Sequence, residues 1–329
     1  MPAAAGPAPA RAIATIAAEP ENQSENLDGM RDTTDAIIVG GGPAGASCAI
    51  WLARLGLAPL LVEAAPRLGG LENDNPFRDD WIAVLPGVTG QQVAANIAQS
   101  VAAARVPSLT GHRARRVVRA GKGLDVMLET ADGSPSQVHG RFLVIASGVR
   151  ARGLPGAEPG RQWPGVLVGP GVAIHEQDYR GRSVAVLGGG DNGFENYAFV
   201  RGRGAREVHL YSRTVRARPQ LVAAAAMPDL HVGDYVVDPG ARTVNGRRYD
   251  LILVFYGWEP QAGFADGLNL ERDGRGYIVT EPATARTSAP GVYAIGEVAN
   301  RMHPCVVTSM ADGVVAAKAI QREIEQGAP

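Results

Sequence analysis

Cysteine is scarce in this chain of 329 residues, which contains only Cys48 and Cys305. Because the two lie far apart, the sequence holds no Cys-x-x-Cys pair and no cysteine-based metal cluster. Long apolar runs are also missing: no stretch approaches the roughly 18 to 20 residues of a membrane helix, so we expect no membrane span. Lys and Arg total 32 against 33 Asp and Glu, a net charge of −1 that gives nucleic acid no attraction.

Glycine and proline are abundant instead, at 42 and 23 residues. The length suggests two domains, at roughly 150 residues per domain. Residues 1–34 are poor in large apolar side chains, and this composition predicts a disordered tail. The apolar run within the tail is too short for the core of a secretory signal, so we expect the protein to be cytoplasmic.

Two βαβ units are predicted from the alternation of β-branched apolar runs, glycine turns and helix-like stretches. The first consists of strand, helix and strand at residues 36–39, 43–55 and 59–63. The second repeats this order at residues 183–187, 191–200 and 207–211. Continuous apolar strands are typical of parallel sheets covered on both faces, so the fold class is α/β with two Rossmann-like domains.

The other predicted elements fall between and after these units. They are a helix at 90–103, β segments around 116–128, a strand at 141–148, a hairpin at 231–248, strands at 250–255 and 291–296, and a helix from about Thr308. We expect a discontinuous first domain, formed by residues 35–150 and 263–329, that is interrupted by a second domain at 151–262. Each domain is expected to combine a parallel sheet with a small β-meander.

The first glycine turn, Gly40–Gly45, has the spacing G-x-G-x-x-G directly between a strand and a helix. In this pattern the first glycine permits the tight turn, the second lets a pyrophosphate approach, and the third allows close helix packing. The helix N-terminus adds partial positive charge. Glu63 ends the second strand, where an acid accepts hydrogen bonds from a ribose. The residues predicted to bind a dinucleotide here are Gly40, Gly42, Pro43, Ala44, Gly45 and Glu63.

The second glycine turn repeats this spacing, and its predicted binding residues are Gly188, Gly190, Asp191, Asn192 and Gly193. Its second strand ends without a carboxylate and is followed by Arg213, Arg216 and Arg218. Guanidinium groups at this position can hold a 2′-phosphate, which favours NADPH over NADH. The alternative is a solvated basic loop.

Together these features resemble the low-molecular-weight thioredoxin-reductase-like flavoproteins, over about residues 35–320. Segments 146–148, 255–260 and 287–297 are similar to further motifs of that family. The resemblance implies FAD in the first domain, NADPH in the second, a mobile hinge between them, and a homodimer. It also implies a nicotinamide-proximal Glu195, a ribityl-binding Glu297, and flavin contacts from the backbone around Val306. The remaining cofactor-binding residues that it implies are Ser147, Gly148 and Gly296.

One departure from the family concerns its redox cysteines. The segment Gly171–His175 stands where thioredoxin reductases carry Cys-x-x-Cys-Asp. Passing electrons to a protein disulfide through a mixed disulfide requires a dithiol, which this segment lacks. His175 replaces the acidic residue and is a candidate proton donor, although it is equally consistent with a loop histidine bonded to backbone.

Other departures are smaller. Glu297 is one methylene longer than the usual aspartate, and the stretch between Arg218 and Asp250 is shorter than in typical relatives. Cys48, on the first helix, is expected to be a small buried hydrophobe. Cys305 precedes the last helix, a position at which thiols are often reactive, and together with His175 it is a candidate catalytic residue.

The leading hypothesis is an FAD-dependent NAD(P)H oxidoreductase that passes a hydride from nicotinamide to flavin. Its acceptor would be something other than a thioredoxin disulfide: a ferredoxin or flavodoxin, a quinone, dioxygen or a small molecule. One alternative is a single-thiol reductase or oxidase of low-molecular-weight disulfides or thiols that uses Cys305 or Cys48. Another is a flavin-binding sensor or partner protein without turnover.

Overall fold

A computed structural model describes residues 34–156 and 161–327. Apart from Thr34, the predicted disordered tail lies outside these residues. The helices of eight residues or more are α1 (Pro43–Arg54), α2 (Gly90–Ala103), α4 (Asp191–Gly202) and α6 (Val306–Glu325); the shorter ones are α3 (Val172–His175) and α5 (Pro219–Ala224). Single 3-10 turns occupy Gly70–Asp74, Met227–Asp229, Gly263–Leu268 and Gly296–Val298.

The strands are numbered in chain order. The first nine are β1 (Ala36–Val39), β2 (Pro59–Val62), β3 (Ser108–Leu109), β4 (His112–Ala120), β5 (Gly123–Thr130), β6 (Pro135–Gly140), β7 (Phe142–Ile145), β8 (Val149–Ala151) and β9 (Val166–Val168). The others are β10 (Ser183–Leu187), β11 (Glu207–Ser212), β12 (Leu230–Val232), β13 (Val237–Asp238), β14 (Thr243–Val244), β15 (Arg247–Arg248), β16 (Leu251–Val254), β17 (Trp258–Pro260) and β18 (Val292–Ala294).

The first parallel sheet has the strand order β18-β7-β1-β2-β3. The strands β1, β2, β7 and β18 are buried along their whole length, as expected for a sheet covered on both faces. Its edge strand β18 comes from the C-terminal part of the chain and pairs with β7 in parallel register. The chain therefore leaves this sheet, builds the second one and returns.

The second parallel sheet has the order β12-β11-β10-β16-β9 and repeats the arrangement of the first. One expectation about it is wrong. The predicted hairpin at 231–248 begins with β12, which pairs with β11 in parallel register and therefore extends the sheet. The physical reason is that Leu230 packs against the apolar core of this sheet. The antiparallel part is confined to the short strands β13, β14 and β15.

Small antiparallel layers accompany both parallel sheets, as the predicted fold class requires. Strands β4, β5 and β6 form a meander beside the first sheet, and β13, β14 and β15 form one beside the second. The α/β fold class with two Rossmann-like domains is confirmed, whereas the domain boundaries at residues 150 and 262 stay predictions. Among the described residues, no helix combines the length and apolarity needed to cross a bilayer.

A buried ion pair ties α6 to the turn that follows β18. Asp312, on α6, accepts hydrogen bonds from the Nε of Arg301 at 3.1 Å and from the backbone N–H of Gly296 at 3.0 Å. The remaining guanidinium N–H groups of Arg301 reach Thr280 and backbone carbonyls of the neighbouring loop. Because both charges are almost fully buried, each depends on the other for solvation.

We therefore predict that Asp312→Asn lowers the free energy of unfolding by about 3 kcal/mol, because it leaves the charge of Arg301 buried without its partner. Urea unfolding followed by circular dichroism measures this change. The matched control is Asp266→Asn, whose carboxylate pairs with Arg272 but is 71% exposed, so the expected loss is below about 1 kcal/mol. Equal losses in the two variants would contradict the assignment.

Candidate functional site

The first glycine turn is shaped by close backbone approaches. A Cβ on Gly40 would lie 2.2 Å from the carbonyl oxygen of Ala146, and Gly40 has a φ of +116°. A Cβ on Gly45 would lie 1.9 Å from the carbonyl oxygen of Gly40. Both positions therefore exclude a side chain, and α1 can begin directly at the carboxyl end of β1.

The middle glycine of this turn serves a different purpose. The nearest atom to a Cβ on Gly42 would be the Cα of Gly70 at 3.6 Å, so packing does not require a glycine at this position. Beside it, the Glu63 carboxylate accepts hydrogen bonds from the N–H groups of Gly41 at 2.6 Å and Ala65 at 2.7 Å. The turn thus presents open backbone and a helix N-terminus, with an oriented carboxylate at the end of β2.

The second glycine turn has the same pattern. A Cβ on Gly188 would meet the carbonyl oxygen of Phe255 at 2.3 Å, and one on Gly193 would meet the carbonyl oxygen of Gly188 at 2.3 Å. By contrast, no atom lies within 4 Å of a Cβ on Gly190. The middle glycine again leaves space for a ligand.

The arginines that follow β11 differ in their surroundings. Arg218 donates from Nε to Asp191 at 2.7 Å and from a terminal nitrogen to Glu195 at 2.8 Å. Its predicted contact with a 2′-phosphate stays a prediction, and in the structure its guanidinium binds two carboxylates. Arg213 and Arg216 are exposed and form no ion pair with any other part of the described chain.

The two glycine turns face one cleft of about 860 Å³. The predicted site residues that line it are Gly40, Gly42, Pro43, Ala44, Glu63, Ser147, Gly148, Asn192, Glu195, Gly296, Glu297, Cys305 and Val306. The predicted residues outside its lining are Gly45, Gly188, Gly190, Asp191, Gly193, Arg213, Arg218 and His175. Residues from both parallel-sheet units therefore share one cavity, although the start of the second turn lies at its margin.

A two-stranded ribbon of β8 and β17 crosses between the two sheets along this cleft. The Ser147 hydroxyl donates to the carbonyl of Gln261 at 2.6 Å, and Arg150 pairs with Glu259 at 2.5 Å. The side chain of Ser147 is thus used to hold the ribbon, and its predicted cofactor contact stays a prediction.

The segment Gly171–His175 forms the short helix α3 next to the cleft. Gly171 lines the cleft, Ile174 is buried, and the ring of His175 lies outside the lining. That ring meets Phe77 edge-on at 5.4 Å and stacks on Phe199 at 5.9 Å between centroids. The structure thus places His175 in an aromatic contact between the two units, and its catalytic role stays a prediction.

The sequence that builds this cleft also matches a known protein family. Residues 34–313 match the pyridine nucleotide-disulphide oxidoreductase family. The chain belongs to this family. Its members use FAD and NAD(P)H, so the chain is identified as a flavin- and pyridine-nucleotide-dependent oxidoreductase. The predicted resemblance is confirmed.

The individual matches are distant. An alkyl hydroperoxide reductase subunit of Staphylococcus epidermidis is 27% identical over 312 residues; the match covers 87% of this chain but 58% of that protein, so the chain spans little more than half its length. Bacillithiol disulfide reductase Bdr of Bacillus cereus has a TM-score of 0.74 at 19% identity, covering 88% of this chain and 99% of the other. Thioredoxin reductase of Lactococcus lactis has a TM-score of 0.72 at 23% identity, covering 89% and 99%.

The first turn of this oxidoreductase fits the FAD that the family uses. A cradle that a Cβ would fill at Gly42, a helix N-terminus and the Glu63 carboxylate suit the phosphates and ribose of an adenine dinucleotide. The cleft extends from this turn to Glu297 and to Val306, the first residue of α6. Residues of the right chemistry are therefore present along its length.

Sequence reasoning missed a second carboxyl group in the cleft, Glu72. Burial raises the pKa of Glu72, and burial together with the charge of Glu72 raises the pKa of Glu297. A carboxyl group that retains its proton more readily can donate as well as accept a hydrogen bond. The signal in the sequence is the pair Gly69 and Gly70, both with positive φ, which places this segment against the first turn.

The two cysteines of this oxidoreductase lie in opposite environments. Cys48 is fully buried in α1, and burial raises the pKa of its thiol to about 12. Cys305 is exposed, lines the cleft and caps α6, its sulfur accepting from the N–H of Thr308 at 3.5 Å. The expected burial of Cys48 is confirmed, and only the Cys305 thiol is accessible.

We predict that Gly42→Ala and Gly190→Ala fold normally but lose different ligands, since open space surrounds both positions. Gly42→Ala should be purified with little FAD, whereas Gly190→Ala should retain FAD and bind NAD(P)H at least about tenfold more weakly. Absorbance near the flavin bands and nucleotide titration measure the two effects. Gly193→Ala is the packing control, and we expect it to lose stability. Normal binding of both ligands by both variants would count against the site.

Proposed function

We propose that this oxidoreductase takes a hydride from NAD(P)H onto FAD and passes the electrons to an acceptor other than a thioredoxin disulfide. One observation carries the proposal. The first glycine turn and residues Asn192 and Glu195 of α4 line the same cleft, so ligands of the two turns have a common meeting place.

The residues of the cleft divide the work between binding and orientation. In this proposal the first turn and Glu63 hold the adenosine and phosphate end of FAD, and Glu297 holds the ribityl chain. The backbone at Val306, in the first turn of α6, contributes N–H donors toward the flavin ring. FAD, when bound, supplies a two-electron carrier between a nicotinamide and the acceptor. Glu195 lies where the nicotinamide end of the second dinucleotide is expected.

The acceptor follows from what the chain does not contain. Cys48 and Cys305 are its only cysteines, and neither lies in the segment Gly171–His175. A dithiol relay to a protein disulfide therefore has no residues to use. Candidate acceptors are a ferredoxin or flavodoxin, a quinone, dioxygen or a small organic molecule. Cytoplasmic residence and a homodimer belong to the same proposal and rest on the resemblance to the family.

Anaerobic stopped-flow absorbance tests the proposal directly. Mixing the FAD-loaded protein with NADPH or NADH should bleach the flavin band, and air or an added quinone should restore it. A flavin that neither nucleotide bleaches would refute the proposal and would favour a flavin-binding protein without turnover.

The preference for NADPH is assigned to Arg213, which is exposed after β11 and free of ion pairs within the described chain. Arg213→Gln should weaken NADPH binding about tenfold, because a charge-assisted contact to the 2′-phosphate is lost, and leave NADH unchanged. Fluorescence titration gives both dissociation constants. Arg275→Gln, at an exposed arginine paired with Asp273, is the matched control. If NADH and NADPH weaken together in Arg213→Gln, the assignment is wrong.

A second candidate function, reduction of a low-molecular-weight disulfide, is favoured by the position of Cys305 in the cleft. We predict that iodoacetamide modifies Cys305 and leaves Cys48 unmodified, because the latter is buried with a pKa raised to about 12. Mass spectrometry of peptides measures the labelling. Turnover of a small disulfide that Cys305→Ser abolishes and Cys48→Ala retains would establish this function. Equal turnover in both variants would eliminate it.

A further inference from the structure

The side chain of Arg218 joins the loop after β11 to the beginning of α4. Its backbone N–H and its Nε donate to the two carboxylate oxygens of Asp191, at 2.8 and 2.7 Å. A terminal nitrogen of the same guanidinium donates to Glu195 at 2.8 Å. One cation therefore binds two carboxylates that lie four positions apart on the same helix.

This contact lies at the edge where the second dinucleotide is expected. Asp191 is the first residue of α4 and follows Gly190, the glycine with open space around it. A pyrophosphate in that space would be attracted by the helix N-terminus but repelled by the Asp191 carboxylate. The first turn has no such conflict, because α1 begins with Pro43.

We infer that Arg218 is a positioning residue for the pyridine nucleotide: it offsets the charge of Asp191 beside the pyrophosphate and holds Glu195 against the wall of the cleft. The inference rests on the proposed function, since it requires that NAD(P)H binds at the second turn. It assigns to Arg218 a role that is independent of the 2′-phosphate.

The two roles predict different nucleotide dependence. The pyrophosphate is common to NADH and NADPH, so a residue that acts through Asp191 affects both nucleotides equally. A direct ligand of the 2′-phosphate, such as the one proposed for Arg213, affects NADPH alone. Comparison of Arg218→Gln with Arg213→Gln therefore separates the two roles.

The variants are expected to fold. The side chains of Arg218, Asp191 and Glu195 are 55%, 41% and 47% exposed, and exposed ion pairs contribute little to stability. Arg218→Gln should weaken NADH and NADPH by the same factor, about tenfold at low ionic strength. The difference should shrink in high salt, because the repulsion is screened. Arg275→Gln again serves as the matched arginine control.

A rescue variant tests whether Arg218 acts through Asp191. Asp191→Asn combined with Arg218→Gln removes the charge that Arg218 offsets, so both affinities should return to within about threefold of the wild type. A purely structural role of Arg218 would give no such rescue.

Each other outcome is decisive. Weakening of NADPH alone in Arg218→Gln, unchanged affinities, or a double variant no better than Arg218→Gln would overturn the inference while leaving the proposed function intact. A wild-type protein that binds neither nucleotide would overturn both.

Discussion

The absence of a side chain at Gly45 and at Gly193 is the constraint on which the rest of the molecule depends. Each of these positions approaches the carbonyl oxygen of the first glycine of its turn so closely that no Cβ fits. As a result, α1 and α4 begin directly against the carboxyl ends of β1 and β10. Their unpaired N–H groups then point to the edge of each sheet, where the middle glycines leave backbone uncovered. The binding geometry of both units follows from these two contacts.

The two turns have the same spacing but different electrostatics. In the first, the nearby acid is Glu63, and backbone N–H groups of the turn and of the following loop hold its carboxylate in place. In the second, the acid is Asp191 within the turn itself, and a guanidinium from the next loop holds it. The first arrangement needs only local backbone, whereas the second depends on Arg218. Dinucleotide affinity at the second turn is thus open to adjustment by a surface residue.

Local features of this fold could be predicted from the sequence, and features that depend on distant residues could not. Strand–turn–helix spacing correctly predicted both βαβ units, because each unit is encoded within a short stretch of chain. The parallel pairing of β12 was missed because Leu230 joins a core built from residues far away in sequence. The pairing of Arg301 with Asp312 was missed for the same reason, although an aspartate on the apolar face of a helix is a usable signal.

The loss of the dithiol changes what the segment before the second unit does. Ile174 enters the apolar core of the second sheet, and His175 stacks between Phe77 and Phe199. A segment engaged by packing on both sides cannot also serve as a mobile electron carrier. If the cleft passes electrons onward, the acceptor has to enter the cleft itself, where partly exposed apolar side chains such as Leu71 and Val168 form part of the wall. Acceptor specificity would then reside in these walls, and the sequence alone does not bring them together.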